Sequence, residues 1–148
     1  VAELPEQVTD SAAFTPSAED IASVEAWFAD YDKMAARGDA AASADVAMFP
    51  LNVVSDGPSG NGSAAQWDRE TYLATMSQVI AGGTTMDSTR EPIFLTGNLV
   101  VVITNATFTT GDQVQRVRYA DVLVRRDGRW LFQTMIQGGW GDYLGTSQ

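Results

Sequence analysis

With 148 residues, 45% of them hydrophobic, the chain is long enough for one domain with its own core, and with no cysteine and no histidine it excludes disulfides, thiol nucleophiles, serine–histidine triads and the usual zinc sites, so no metal or cofactor is expected. The net charge is −10, and residues 1–60 carry eleven of the nineteen acids but only two of the nine bases, an acidic surface that repels phosphate backbones and argues against a nucleic-acid partner. No apolar run approaches the ~20 residues of a bilayer span and no secretory leader pattern is read, so no membrane partner and a soluble, cytoplasmic rather than exported protein are expected.

Residues 1–16 mix acids, proline and small residues without a sustained period. They read as a tail docked through Leu4 or Phe14, ahead of a single domain over 17–148. Ser17 is a good N-cap, and Glu19 and Asp20 suit the positive end of a helix dipole. Ile21, Val24, Phe28, Tyr31 and Ala35 then recur at helical spacing, with Trp27 and Met34 widening the stripe. Gly38 reads as the stop, and Asp39 caps a second short helix to about Val46. Met48 to Val54 is strand-like and runs through Ser55-Asp56-Gly57 into GPSGNG, which reads as a loop. A third helix begins at Asp68, with Trp67 and Tyr72 forming a hydrophobic staple. Tyr72, Met76 and Val79-Ile80 supply its buried face, and Gly82-Gly83 ends it.

From there the apolar period changes to two. Strands are expected near 85–95, 99–110, 113–126 and 129–140, separated by Gly97-Asn98, Gly111-Asp112 and Asp127-Gly128, all dipeptides of short hairpins. Register follows by counting. The last turn sets Leu123 against Phe132, Asp121 against Thr134 and Tyr119 against Ile136. The turn before it sets Val102 against Asp121 and Thr104 against Tyr119. The first sets Ile93 against Val102 and Glu91 against Thr104. One face then carries Ile93, Val100, Val102, Thr104, Phe108, Tyr119, Asp121, Leu123, Trp130, Phe132, Thr134 and Ile136. The other carries Leu99, Val101, Ile103, Ala120, Val122, Val124, Leu131 and Met135. Both are apolar at the centre. One must meet the helices, and the other is expected to meet a second subunit in a homodimer.

Helices followed by a long antiparallel meander that ends in VLVRRDGRWLF (Val122 to Phe132), with Tyr31 seven residues before Gly38-Asp39 and VVSDG at Val53 to Gly57, resemble the NTF2-like superfamily, including its SnoaL-like cyclases and ketosteroid isomerases. The resemblance covers nearly everything after Ser17. It implies an α+β cone, with N-terminal helices packed on a long curved antiparallel sheet around a deep pocket, and dimers through the outer sheet face. Ketosteroid isomerases use a tyrosine donor on the first helix, a carboxylate base after the first strand and a protonated aspartate on a later strand. Residue by residue, the resemblance assigns these roles to Tyr31, Asp56 and Asp121.

Asp121 is an ionisable group on a greasy face. Desolvation would raise its pKa and make it an acid, a base or a neutral donor. Alternatively it is a structural carboxylate paired with Arg118, Arg90 or a helix-borne tyrosine. The walls of the expected pocket are Trp27, Phe28, Met34, Glu91, Val102, Thr104, Tyr119, Phe132 and Thr134, around a small hydrophobic molecule. Two functions follow. One is a cofactor-free acid–base enzyme of isomerase, cyclase or dehydratase type acting on a hydrophobic carbonyl compound. The other is a non-catalytic ligand-binding or dimerisation module.

Overall fold

Ser17 opens the first helix with a reciprocal capping box. Its hydroxyl accepts from the Asp20 N–H at 3.0 Å, while the Asp20 carboxylate accepts from the Ser17 N–H at 3.1 Å. The chain, seen in a computed structural model that describes residues 3, 5, 11–79 and 85–140 (for Val79, the backbone only), continues as α1 (Ala18–Ala36) and α2 (Ala40–Ala44). β1 (Ala47–Asp56) and β2 (Gly62–Trp67) lead into α3 (Arg69–Val79). β3 (Thr85–Thr96), β4 (Leu99–Thr110), β5 (Gln113–Arg126) and β6 (Arg129–Gln137) are the remaining elements among the described residues. The expected parts played by Leu4, the Val79 side chain, Ile80 and Gly82-Gly83 fall outside the described residues. A 3₁₀ turn at Ser11–Ala13 lies against β3, with the Phe14 ring beside Gly97.

All six strands form one sheet in the order β2-β1-β6-β5-β4-β3, making an α+β architecture. β3 to β6 are antiparallel neighbours, but β1 runs parallel to β6, so the sheet is mixed rather than wholly antiparallel. β2 is a second correction. Gly62, the last residue of the stretch read as a loop, opens a strand through residues given no element, and this strand pairs with β1 from Asp56↔Gly62 to Leu51↔Trp67. Its Gly-Ser-Ala-Ala sequence has little strand propensity, so backbone pairing rather than side-chain preference specifies it.

The Asp127-Gly128 turn has both central residues at positive φ (52° and 77°), as a two-residue hairpin of this type requires. Register counted from it holds through Leu123↔Phe132. Beyond that pair Gln133 is bulged, and Asp121 faces Met135 instead of Thr134, while Tyr119 faces Gln137 instead of Ile136. A one-residue slip exchanges the faces. Met135 therefore joins the core side, while Thr134 turns to the outer face. A matching bulge at Leu95 shifts β3, so Pro92 rather than Ile93 opposes Val102, and Arg90 rather than Glu91 opposes Thr104. Ile93 is exposed, and Glu91 points away from the helices. The β4–β5 pairs Val102↔Asp121 and Thr104↔Tyr119 stand as counted.

The core lies between the helices and the inner sheet face. Phe132 is its hub, with ring contacts to Trp27 (6.0 Å), Tyr31 (5.6 Å) and Tyr72 (5.9 Å) between centroids. Val24, Leu51, Val100, Val102 and Leu123 fill the surrounding layer and are buried. Tryptophan N–H groups pin α1 to the last hairpin. Trp27 Nε1 donates to the Trp130 carbonyl at 3.0 Å, and Trp130 Nε1 donates to Ser23 Oγ at 2.9 Å. Arg125 stacks over the Trp130 ring at 4.3 Å and reaches Asp20 at 3.3 Å.

Candidate functional site: an apolar cavity with an acid in its wall

The sheet does not close onto the helices along its whole length. Past the Phe132 hub, a cavity of about 830 Å³ opens between α1, α3 and the inner sheet face. α1 contributes Phe28, Tyr31 and Asp32; β1 and β2 contribute Val53, Ser55 and Trp67; and α3 contributes Thr75 and Met76. Met86, Phe108, Tyr119, Asp121 and Met135 line the strand side. Among the described lining residues only Asp32 and Asp121 carry ionisable carboxyls, and there is no lysine or arginine. Such a mostly apolar concavity with a few convergent polar groups is the usual form of a small-molecule site.

Alternation along β5 delivers Asp121 to this wall two residues from the buried Leu123. Burial raises its pKa from 3.8 to about 7, against an opposing pull from the Arg90 guanidinium. That charge is largely committed elsewhere. Arg90 grips Asp32 with both terminal nitrogens (2.7 and 3.0 Å), donates from Nε to Thr104 Oγ1 at 3.2 Å and lies 4.2 Å over the Phe28 ring. Burial works against the Arg90 charge, but the Asp32 carboxylate outweighs it and holds the guanidinium above its ordinary pKa. Arg90 also reaches the Tyr119 hydroxyl, partly offsetting the upward shift that burial imposes on that phenol.

Tyr31 stands nearby, stacked on Trp27 at 5.1 Å. Its pKa is pushed well above 10 by burial first, then by the neighbouring Tyr72, Asp121 and Tyr119. Tyr31 is thus a neutral donor across the whole physiological range. Tyr72, raised by burial as well, exchanges a hydrogen bond of 2.8 Å with Ser43 and interacts with the Tyr31 hydroxyl. The result is a line of hydroxyls ending beside the acid.

The expected site residues separate into three groups. Tyr31, Asp121, Phe28 and Tyr119 meet in the cavity wall. Trp27, Val102, Thr104 and Phe132 are packing residues behind it, with Val102, Thr104 and Phe132 buried. Met34 is half-buried on α1 outside the lining, and Glu91 and Thr134 are turned away by the two bulges. Asp56 also stands outside the lining. Its carboxylate accepts from the Gly139 N–H at 2.8 Å and its carbonyl accepts from the same N–H at 3.0 Å, so it latches the end of β6 onto β1. Asp56→Ala should therefore lower the unfolding free energy by about 1 kcal/mol, measured by urea denaturation, the ordinary worth of such a bond. Asp32 is not singled out in the sequence, and Arg90, read there as a possible partner of Asp121, pairs with Asp32 instead. The only cue was an arginine within a strand pattern and an aspartate on the edge of a helical stripe.

No protein-family model matches the sequence, and no curated protein matches it. Solved structures do. A candidate scytalone dehydratase from Novosphingobium aromaticivorans superposes with a TM-score of 0.61 at 18% identity, over 86% of this chain and 85% of that one. An NTF-2 like protein of unknown function from Shewanella oneidensis gives 0.61 at 15% identity, over 81% and 97%. A candidate ketosteroid isomerase from Parabacteroides distasonis gives 0.59 at 14% identity, over 74% and 81%. At these identities the likeness is one of fold.

Proposed function

For a chain with the NTF2-like fold and an acid enclosed in its pocket, we propose a cofactor-free acid–base enzyme acting on a hydrophobic carbonyl compound, of isomerase, cyclase or dehydratase type. The observation that carries this reading is Asp121. It lines an apolar cavity, no hydrogen bond from the described residues reaches its carboxyl, and its pKa is raised to about 7. An acid poised there is divided between its two protonation states at neutral pH and can both take and return a proton.

With Asp56 turned to a structural task, Asp121 takes the proton-transfer role and Tyr31 the donor role. The Asp121 carboxylate removes a proton from the carbon beside the carbonyl. The C–H electron pair becomes a C=C bond, and the carbonyl pair moves onto oxygen, where the Tyr31 hydroxyl donates to the growing negative charge. The proton held on Asp121 then returns to the α-carbon, or to the γ-carbon where a β,γ double bond of the substrate makes the intermediate a dienolate, or goes to a hydroxyl leaving from the β-carbon as the enolate pair re-forms the carbonyl and a C=C bond. Tyr119, fixed by Arg90, offers a second donor.

A hydrophobic ketone such as 2-tetralone in deuterated water tests this reading. The protein should accelerate deuterium incorporation beside the carbonyl. Asp121→Asn should lose at least ~100-fold of that rate and Asp56→Asn should retain it, since a positioned acid–base group contributes roughly 10²–10⁴-fold. Exchange no faster than buffer, for 2-tetralone and for open-chain aryl ketones, would refute it and leave the ligand-binding alternative.

The outer sheet face supports a proposal about assembly. Leu99 is exposed, and Val101, Ile103, Val122, Val124 and Leu131 are only half-buried, with every described helix on the opposite face. Met135 drops out of the expected set because the Gln133 bulge turns it inward. A second copy laid on this patch would cover it, and light scattering at tens of micromolar should report a dimer. A monomer there removes the proposal.

A further inference from the structure

Two acids of α1 show how this chain treats a carboxylate on the helix side of the sheet. Asp32 receives both terminal nitrogens of Arg90, whose guanidinium lies 4.2 Å over the Phe28 ring. Asp20 receives Arg125 at 3.3 Å, and that guanidinium lies 4.3 Å over the Trp130 ring. In both places a cation sits between a carboxylate and the face of an aromatic ring, where the two attractions add. Asp121 has the acid and the rings but no cation. Its carboxyl lines the cavity together with Tyr31 and Tyr119, which are close enough to feel its charge. Among the described residues no arginine or lysine forms an ion pair with it. Its oxygens are open to the cavity, because Trp67 Nε1 alone among the described side-chain polar atoms is both enclosed and without a hydrogen bond.

The groups that face Asp121 from each neighbouring element leave its charge unmatched. Tyr31 of α1, Tyr72 of α3 and Tyr119 of β5 are kept neutral by burial. Arg90 of β3 stays charged in its pair with Asp32 of α1. Val102 of β4 and Met135 of β6, opposite Asp121 in the sheet, do not ionise. An ionised carboxylate only accepts hydrogen bonds, and an ammonium only donates them, so the two are complementary in charge and in donor sense. The net charge of −10 draws cations toward the protein and repels anions before either reaches the site.

We propose that the cavity takes a protonated lipophilic amine, its ammonium seated against the Asp121 carboxylate beside the Tyr31 and Tyr119 rings and its apolar body in the hollow beyond. The proposal rests on the reading of the cavity as a ligand site and adds a second class of occupant to the carbonyl compound. The two compete. An ammonium that claims the Asp121 carboxylate leaves no base to take a proton from carbon, so the amine is an inhibitor of the acid–base reaction.

Two molecules of one shape, naphthalen-2-ylmethanamine and naphthalen-2-ylmethanol, test the proposal on the full chain. At pH 8 the amine should bind about tenfold or more tightly than the alcohol, the worth of a hydrogen bond to a charged group. Below pH 7 the amine must displace the Asp121 proton, so its affinity should fall about tenfold per pH unit toward that of the alcohol, whose own affinity holds. Calorimetry in two buffers of different ionisation enthalpy should accordingly count about one proton released at pH 6 and about none at pH 8. Asp121→Asn should bind the amine no better than the alcohol, and the proton count on the parent protein carries the test even if the variant folds poorly. The amine should also suppress deuterium exchange into 2-tetralone at pH 8. An amine advantage that survives Asp121→Asn, or that comes without proton release at pH 6, belongs to the acidic surface and overturns the proposal. Amine and alcohol binding equally, or neither binding, while 2-tetralone exchange is still catalysed, overturns the ammonium seat and spares the acid–base reading. The same binding result without exchange overturns both.

Discussion

At pH 8 the Asp121→Asn variant should unfold at a higher temperature than the parent protein, and the gap should shrink as pH falls. The sign follows from linkage. In the unfolded chain the Asp121 carboxyl ionises near 3.8, whereas in the folded protein it stays protonated to about 7. Between those values the unfolded state binds fewer protons, so each step up in pH favours unfolding. The loss begins near pH 4, is complete above pH 7, and amounts to roughly 4 kcal/mol at about 1.4 kcal/mol per pKa unit. Asparagine keeps the shape and removes the ionisation, so it recovers most of that energy at pH 8 and almost none near pH 4. Calorimetry at pH 8 and pH 5 measures the difference, about 10 °C at the higher pH for a chain of this size. A parent protein equally stable at both, relative to the variant, would show that Asp121 is solvated. The same substitution is expected to abolish proton transfer, so stability and activity move in opposite directions at one residue.

Asp32→Asn is expected to cost about 3 kcal/mol, because it leaves the Arg90 guanidinium, whose side chain is only 14% exposed, without its carboxylate. The effect also has an electrostatic arm. Arg90 already pulls the Asp121 pKa downward, and an uncompensated Arg90 should pull harder, so the Asp121 midpoint falls below 7. Arg90→Met should do the reverse and move it above 7. Urea denaturation reads the first effect, and side-chain carboxyl shifts read the second. A loss of stability without any movement of Asp121 would mean that the pair acts only as a brace between α1 and β3. Movement in opposite directions for the two variants would tie the pair to the acid.

Much of this arrangement was legible before the structure. Ser17, Gly38, Asp39 and Asp68 mark helix boundaries through cap chemistry that depends on the local chain alone. The hairpin at Asp127-Gly128 announced itself for the same reason. Counting from the preceding turn, Gly111-Asp112, brought Asp121 beside Val102 and onto the helix side of the sheet. The count failed where a single residue was bulged. Nothing in the residues around Gln133 or Leu95 distinguishes a bulge from regular pairing, yet each reverses the facing of the residues beyond it. Met135 and Arg90 thereby entered the interior, and Thr134 and Glu91 left it. β2 was invisible because its Gly-Ser-Ala-Ala sequence has little strand propensity and no alternation of large apolar side chains. The Asp32–Arg90 pair joins residues 58 apart, and no periodic pattern carries a contact of that separation. Asp56 illustrates the limit of placing a role by similarity. The last position of the first strand is occupied by a carboxylate, but its oxygen is aimed at Gly139 and stands outside the cavity.

The cavity and its aspartate are linked by one physical cause. Packing α1 and α3 over the inner sheet face half-buries the end of the site where β5 turns Asp121 inward, and the pull of Arg90, which is paired with Asp32, does not offset that desolvation. An NMR titration of the side-chain carboxyls, with Asp121 identified by its absence in Asp121→Asn, measures that cause directly. Asp121 should show a midpoint near 7, while a midpoint near 3.8, that of a solvated carboxyl, would mean that the cavity does not desolvate it.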